Sequence, residues 1–498
     1  MKLKILFNTA CWIVVCCAAA IAATPPASFK GPIPVTANSY PLLASGRSLG
    51  ALDLSKYGYV EEEFIISGPA NVYDWLADGS LKVLSSGQYA TRILVRRPAN
   101  QNRFSGSVVV EIMNSSRRYD WAMMFGYTHD YLLEHGDAWI GVTLPAGIAG
   151  LQKFNPSRYP GLSFANPTPS APCPGAGANT ISDVEEGLRW DMYSQLAALL
   201  RSNLPSRPLA SLRVQNVYMT TQNVDIVTYI NAFHAHATLE SGKPVYDGYL
   251  VKAPLAPAKI NRCAAAPAKG DPRSVIRPTN VPVIAISAQG EVVTTSAFRR
   301  PDADSENDRF RLYEIAGASH IDKSPYHDLP IFADQAAAGG NVQGTPDWPF
   351  TAKCTPDIPL TELPLMTYVF DAALQNLDQW VRKGTAPPRA SLIELKNAGA
   401  NDASVVLDEF GNGKGGVRNP YVDVPVATYF PNSTGPGNCP EMGHQERFDS
   451  ARLAMLYGTP SKYAAKVAES VDALVRLRWL TESDGRKIKE EATRIPRF

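Results

Sequence analysis

The chain is short of charge imbalance, of paired cysteines, of long apolar runs and of repeats, and each shortage excludes something. Its 48 lysines and arginines face 47 aspartates and glutamates, a net charge of +1. With no basic field, neither nucleic acid nor an anionic membrane is an expected partner. Beyond Ile21 no apolar stretch is long enough to span a bilayer. The seven cysteines include no C-x-x-C pair, which argues against a zinc centre. His234 and His236 lie at i and i+2, a spacing that does not face one ligand, so no metal is expected there. Asp408 to Arg418 (DEFGNGKGGVR) has glycines but opens no helix, so it reads as a turn-rich loop and no phosphate-bearing cofactor is expected. No internal repeat is present.

What remains is an ordinary globular composition, 45% hydrophobic and 19% charged, on a chain of 498 residues, enough for one large domain with extensions. The first residues look like a secretory leader. Lys2 and Lys4 precede an apolar run from Ala10 to Ala20, and Ala20-Ile21-Ala22 is a small-x-small cleavage site. Residues 1–22 are therefore expected to be removed, with export to a secreted or periplasmic location; Cys16 and Cys17 lack the setting for lipidation. Four cysteines then remain, Cys173, Cys263, Cys354 and Cys439. Two disulfides are expected, with all three pairings open. Asn114-Ser115-Ser116 and Asn432-Ser433-Thr434 fit the glycan sequon, which matters only where a host glycosylates.

Early strands are predicted at Tyr59 to Ser67 and Ala90 to Arg97, and a strong buried one at Ser107 to Met113 (SVVVEIM). Helical spacing then fills Tyr119 to His135, with Gly136 as the stop, and AWIGVTL gives the next strand. Glu185 to Arg201 is an amphipathic helix. Strands follow at Val217 to Met219, Tyr246 to Lys252, Val281 to Ser287 and Arg309 to Ile315. This alternation predicts an α/β fold with a mostly parallel, doubly wound sheet. Two Pro-rich excursions, at about 145–182 and 253–280, are long enough to wall a pocket. Pro364 to Lys383 and most of Arg447 to Ala492 are helical, the latter broken near Gly458-Thr459-Pro460.

The chemistry is expected where strand Val217 to Met219 turns sharply into the helix beginning at Asp225. A G-x-S-x-G elbow would stand there in an α/β-hydrolase, presenting a nucleophile on a tight turn. The chain instead has Met219-Thr220-Thr221-Gln222-Asn223, with Thr221 at the nucleophile position. Glu291 follows strand Val281 to Ser287, and His320 follows strand Arg309 to Ile315 and the turn Ala316-Gly317-Ala318-Ser319. Hydroxyl, carboxylate and imidazole thus come in the order nucleophile, acid, histidine. Each also has a plainer reading: a buried Thr hydroxyl bonded to backbone, a solvated loop carboxylate, a structural histidine.

At VVVEIMNSS, GDAWIGVT, LRWDMYSQLAALLRS, VPVIAISAQGEV, YEIAGASHID, GNGKGGVRNPYVDVP and YGTPSKYAAKV the chain resembles the secreted α/β-hydrolase domain-containing proteins. The resemblance covers most of the mature chain and implies an α/β-hydrolase core at 24–395 with a C-terminal helical extension at 396–498. It implies hydrolysis of a small carboxylic ester or related acyl compound, without a cofactor. Glu291 falls at the family's acid and His320 at its histidine. The family's G-x-S-Q-S elbow is changed, keeping Gln222 but carrying Met219, Thr221 and Asn223. His320 would take the proton of Thr221, and Glu291 would hold the imidazole. Backbone N–H groups of Gln222 and of Asn114 or Ser115 would form the oxyanion hole. The extra methyl of Thr and the bulk of Met219 crowd such a turn. A second class of reading therefore stands beside the first: a relative without activity that binds a ligand or partner in the same pocket. Substrate identity and oligomeric state are not readable from the sequence.

Overall fold

The computed structural model describes residues 23–222, 225–254, 257–268, 270–324, 328–340, 354–355 and 365–494. The leader at 1–22, Asn223, and much of the Pro-rich stretch from Ser324 to Pro359 lie outside the described residues. An 11-stranded mixed sheet runs through the molecule. It begins with β1 (Ser28–Lys30), β2 (Tyr59–Trp75), β3 (Leu81–Pro98) and β4 (Ser107–Ile112). Helix α1 (Met123–His135), strand β5 (Ala138–Val142), helix α2 (Pro145–Phe154), the short β6 (Ser163–Phe164) and helix α3 (Arg189–Arg201) follow. Next come β7 (Asn216–Thr221), α4 (Asp225–Ala232), β8 (Gly248–Lys252), β9 (Pro282–Ala288), α5 (Val292–Thr295), β10 (Ala303–Ser305) and β11 (Asp308–Ile315).

The strand order is β1-β2-β3-β5-β4-β7-β8-β9-β11-β10. The six strands from β5 to β11 are parallel to their neighbours in that order, and the edges are antiparallel. The reason is in the side chains. Every residue of β4, β5, β8 and β9 is buried, as strands covered by helices on both faces require. By contrast β2 and β3 form a long hairpin, and most residues in the first half of β3 are at least partly exposed.

The C-terminal half covers this sheet. α6 (Phe332–Ala337) and α7 (Thr367–Lys383) are followed by the small hairpin β12–β13 (Leu395–Lys396 and Ser404–Val405) and a short α8 (Pro420–Asp423). A second hairpin pairs β14 (Ala427–Phe430) with β15 (His444–Arg447). Helices α9 (Ser450–Tyr457), α10 (Pro460–Arg476) and α11 (Glu482–Thr493) end the described chain. Tyr463, Val467, Val471 and Ile488 of these helices belong to the same continuous apolar core as the sheet. The described residues carry two disulfides. Cys173–Cys263 ties the two long excursions together, and Cys354–Cys439 anchors residue 354 to the turn before β15. No described helix is long and apolar enough to cross a membrane.

Candidate active site at the end of the sheet

The turns that leave β4, β7, β9 and β11 at their C-terminal ends converge on one set of side chains, as open parallel sheets arrange their sites. Strand β7 runs two residues further than the sequence pattern suggests. Thr220 and Thr221 are β-branched and remain in the ladder, Thr220 opposite Glu111 of β4 and Thr221 opposite Val251 of β8. Thr221 is fully buried, and its hydroxyl donates to the Ile112 carbonyl at 2.8 Å. The expected meeting of Thr221 with His320 is therefore not the contact the structure shows. Gln222, the first residue past the strand, approaches His320 instead, its Nε2 lying 3.0 Å from the imidazole Nε2. Asn223 lies outside the described residues.

A chain of hydrogen bonds fixes the proton positions. The Ser116 backbone N–H donates to Asn114 Oδ1 at 2.9 Å, so the Asn114 amide nitrogen faces Gln222 and donates to its Oε1 at 2.9 Å. The Gln222 amide nitrogen is thereby the donor toward His320, whose Nε2 must accept. A neutral imidazole then carries its proton on Nδ1, and Nδ1 is bonded to Glu291 Oε1. His320 is thus in the tautomer a general base requires, with an amide on its lone pair.

Glu291 sits in the turn directly after β9 and is 6% exposed. Burial alone would raise its pKa. The Lys252 ammonium, the His320 hydrogen bond and the Ala288 N–H at 2.8 Å outweigh burial and bring it down to about 2. Lys252, the last residue of β8, is itself 1% exposed. Its Nζ reaches Glu291 Oε1 at 2.9 Å and the His320 carbonyl at 2.8 Å, holding both partners. Sequence reasoning missed it, although a lone lysine closing the apolar run YLV was the available signal. It also missed Gln289, whose Oε1 accepts from Gly317 N at 2.7 Å and Gly413 N at 3.0 Å. That side chain pins the Gly-rich loop to the turn carrying His320. Gly317 has φ +76°, and a Cβ there would come 3.1 Å from Val422 and 3.4 Å from Tyr429, so only glycine fits this turn.

The turn after β4 is equally determined. Ser115 Oγ donates to Asp120 at 2.7 Å, and buried Arg92 pairs with the same carboxylate at 2.9 Å. Of the three expected oxyanion donors, the Asn114 N–H is committed to the Trp121 carbonyl at 3.0 Å. Ser115 and Gln222 line a cavity of about 570 Å³. Pro145 and Ala146 from the first excursion and Pro257, Ala258, Lys259 and Ala266 from the second wall it, and buried Arg189, bidentate with Asp225, forms one side. Gln222 stands between this space and His320. Among the described residues no cluster of His, Cys, Asp or Glu could hold a metal ion. His234 is structural, bonded to Tyr249 and Asn280 at 2.8 Å each.

This strand-end constellation is the arrangement of an α/β-hydrolase. The chain belongs to the alpha/beta hydrolase domain family, whose model matches residues 29–490. Among solved structures it is similar to a glucuronoyl esterase from Solibacter usitatus, at 11% identity over 64% of this chain and 88% of that one, with a TM-score of 0.28. A fungal esterase from Rhizomucor miehei gives 10% identity, 55% and 82% coverage, and a TM-score of 0.27. A glucuronoyl esterase from Teredinibacter turnerae gives 12%, 64% and 79%, also at 0.27. At these scores nothing about activity follows from them. None of the curated proteins matches the sequence.

Proposed function

We propose that the protein hydrolyses carboxylic esters or related acyl compounds, with His320 as general base and Glu291 as the carboxylate that holds it. The observation that carries this reading is the His320 tautomer, which puts the proton on Nδ1 toward Glu291 and turns the Nε2 lone pair to Gln222, the side chain that separates it from the cavity. The attacking oxygen in this reading is water rather than Thr221. Using Thr221 would require it to release the Ile112 carbonyl, a bond worth about 1 kcal/mol, and to leave the sheet where it is fully buried. Water displacing the Gln222 amide can instead lose a proton to Nε2 while its oxygen bonds to the acyl carbon. The imidazolium, stabilised by Glu291, then returns that proton to the departing alkoxide, and acid and alcohol leave. The backbone N–H groups of Ser115 and Gln222 are the proposed oxyanion donors.

A second reading, ligand binding without turnover, is favoured by one observation: the Gln222 amide occupies the nitrogen a nucleophile would use. A panel of short-chain aryl esters tests the choice. Hydrolysis by the wild type that falls by at least ~100-fold in His320→Ala supports the first reading. No turnover by the wild type, with saturable binding of a non-hydrolysable ester analogue, supports the second. The two disulfides and the Lys2, Lys4 and Ala20-Ile21-Ala22 leader pattern support a workplace outside the cytoplasm. The proposed division is a hydrolase domain at 24–395 and a C-terminal extension at 396–498.

A further inference from the structure

A second cavity, of about 170 Å³, lies within the C-terminal part of the chain and shares no lining residue with the one beside Gln222. Its walls include Tyr463 and Val467 of α10 and Ile488 and Ala492 of α11, all at least nine-tenths buried. Another face is the hairpin β14–β15, where Tyr429 and Gln445 are directly opposed across the two strands. Opposed residues of an antiparallel pair project on the same side of the sheet. Tyr429 is fully buried, and neither its hydroxyl nor Gln445 Oε1, which is also shielded from solvent, has a hydrogen-bond partner. A buried donor and a buried acceptor thus stand side by side without bonding each other. Leaving such groups unpaired costs about 1–3 kcal/mol each, so the pair is built to receive a third group.

The chemistry of that group follows from the walls. It must accept from the Tyr429 hydroxyl and donate to Gln445 Oε1, which one hydroxyl does. Water could make both bonds but would leave the apolar space beside it unfilled. An apolar cavity of about 150 Å³ takes up a benzene-sized molecule, and this one is of that size with the polar pair on one wall. The charged groups at the cavity, Arg447 and Glu491, are opposite in sign, and Glu491 is already engaged by the Tyr421 hydroxyl. This favours a neutral occupant. We propose that this cavity is a binding site for a small neutral phenol or benzylic alcohol, separate from the candidate active site. Tyr429 also packs behind Gly317 of the turn that carries His320. The proposal rests on binding alone and stands whether or not the chain hydrolyses esters.

Calorimetric titration of the intact protein with phenol, and with toluene as the probe lacking a hydroxyl, tests it. Phenol is expected to bind saturably and roughly tenfold more tightly than toluene, the difference being the two hydrogen bonds. Tyr429→Phe and Gln445→Leu should each remove one of the two bonds and cut that preference to roughly threefold while toluene binding persists, which also shows that the variants keep the cavity. Absence of saturable phenol binding to the wild type would mean that the polar pair holds water only and would overturn the proposal. Phenol binding unchanged in both variants would place the ligand elsewhere and overturn it equally.

Discussion

Replacing Lys252 by Met removes a buried charge while keeping the length and much of the apolar stem. The structure sets the magnitude. Lys252 and Glu291 are 2.9 Å apart with little exposure, and removing one partner of such a pair costs about 3–5 kcal/mol. Glu291 has one escape, to take up a proton. From an ordinary carboxyl pKa that costs about 3–4 kcal/mol at pH 7 and under 1 kcal/mol at pH 5. The electrostatic loss is therefore capped near ~3–4 kcal/mol at pH 7 and should shrink as the solution is acidified. The sign differs from the wild type. There Glu291 is held down to about 2, so its stabilisation is complete above the usual carboxyl range and fades only as the pH falls from there toward 2. Urea unfolding of both proteins at pH 5 and pH 7, followed by tryptophan fluorescence, measures the difference. A loss under about 1 kcal/mol at pH 7, or the same loss at both pH values, would refute the claim that Lys252 keeps Glu291 ionised.

Asp371 of α7 is buried, and its carboxyl is raised well above the usual range by burial and by the nearby charges of Asp484 and Asp130. A raised acid favours the folded state at low pH and withdraws that support as pH rises. Asp371→Asn should accordingly raise the melting temperature at pH 8 and change it little at pH 4, by calorimetry. Both disulfides close loops of comparable size, with sequence separations of 90 and 85 residues. Thiol titration of the denatured, unreduced mature protein should find none free, and Cys173→Ser with Cys263→Ser should cost about 4–5 kcal/mol of stability.

The parallel core was readable because its strands are buried on both faces and appear as predominantly apolar runs, SVVVEI and PVIAISA above all. The hairpin of β2 and β3 was only half read, since the outer part of β3 (KVLSSGQ) is largely exposed and shows no buried apolar run. The order of the carboxylate and the imidazole was also legible, because each sits one turn past a strand. Where strand β7 ends was not legible. Thr220 and Thr221 suit a strand as well as a turn, and only the neighbouring ladders of β4 and β8 decide that they stay in the sheet. The sequence marks Gln222 as a backbone donor, whereas its reach to His320 depends on an amide orientation set by Asn114 and Ser116. Such orientation is a property of the assembled turn and leaves no pattern in the chain.

The claim that His320 activates water, without an acyl-Thr intermediate, is tested most directly by hydrolysis of one short-chain aryl ester by Thr221→Val. That substitution removes the hydroxyl and keeps the β-branched shape the strand requires. The account predicts kcat within about threefold of the wild type at 25 °C, with a stability loss of about 1 kcal/mol for the missing bond to Ile112, while His320→Ala falls by at least ~100-fold. A folded Thr221→Val that has lost activity as completely as His320→Ala, with Thr221→Ser active, would contradict it and return Thr221 to the role of nucleophile.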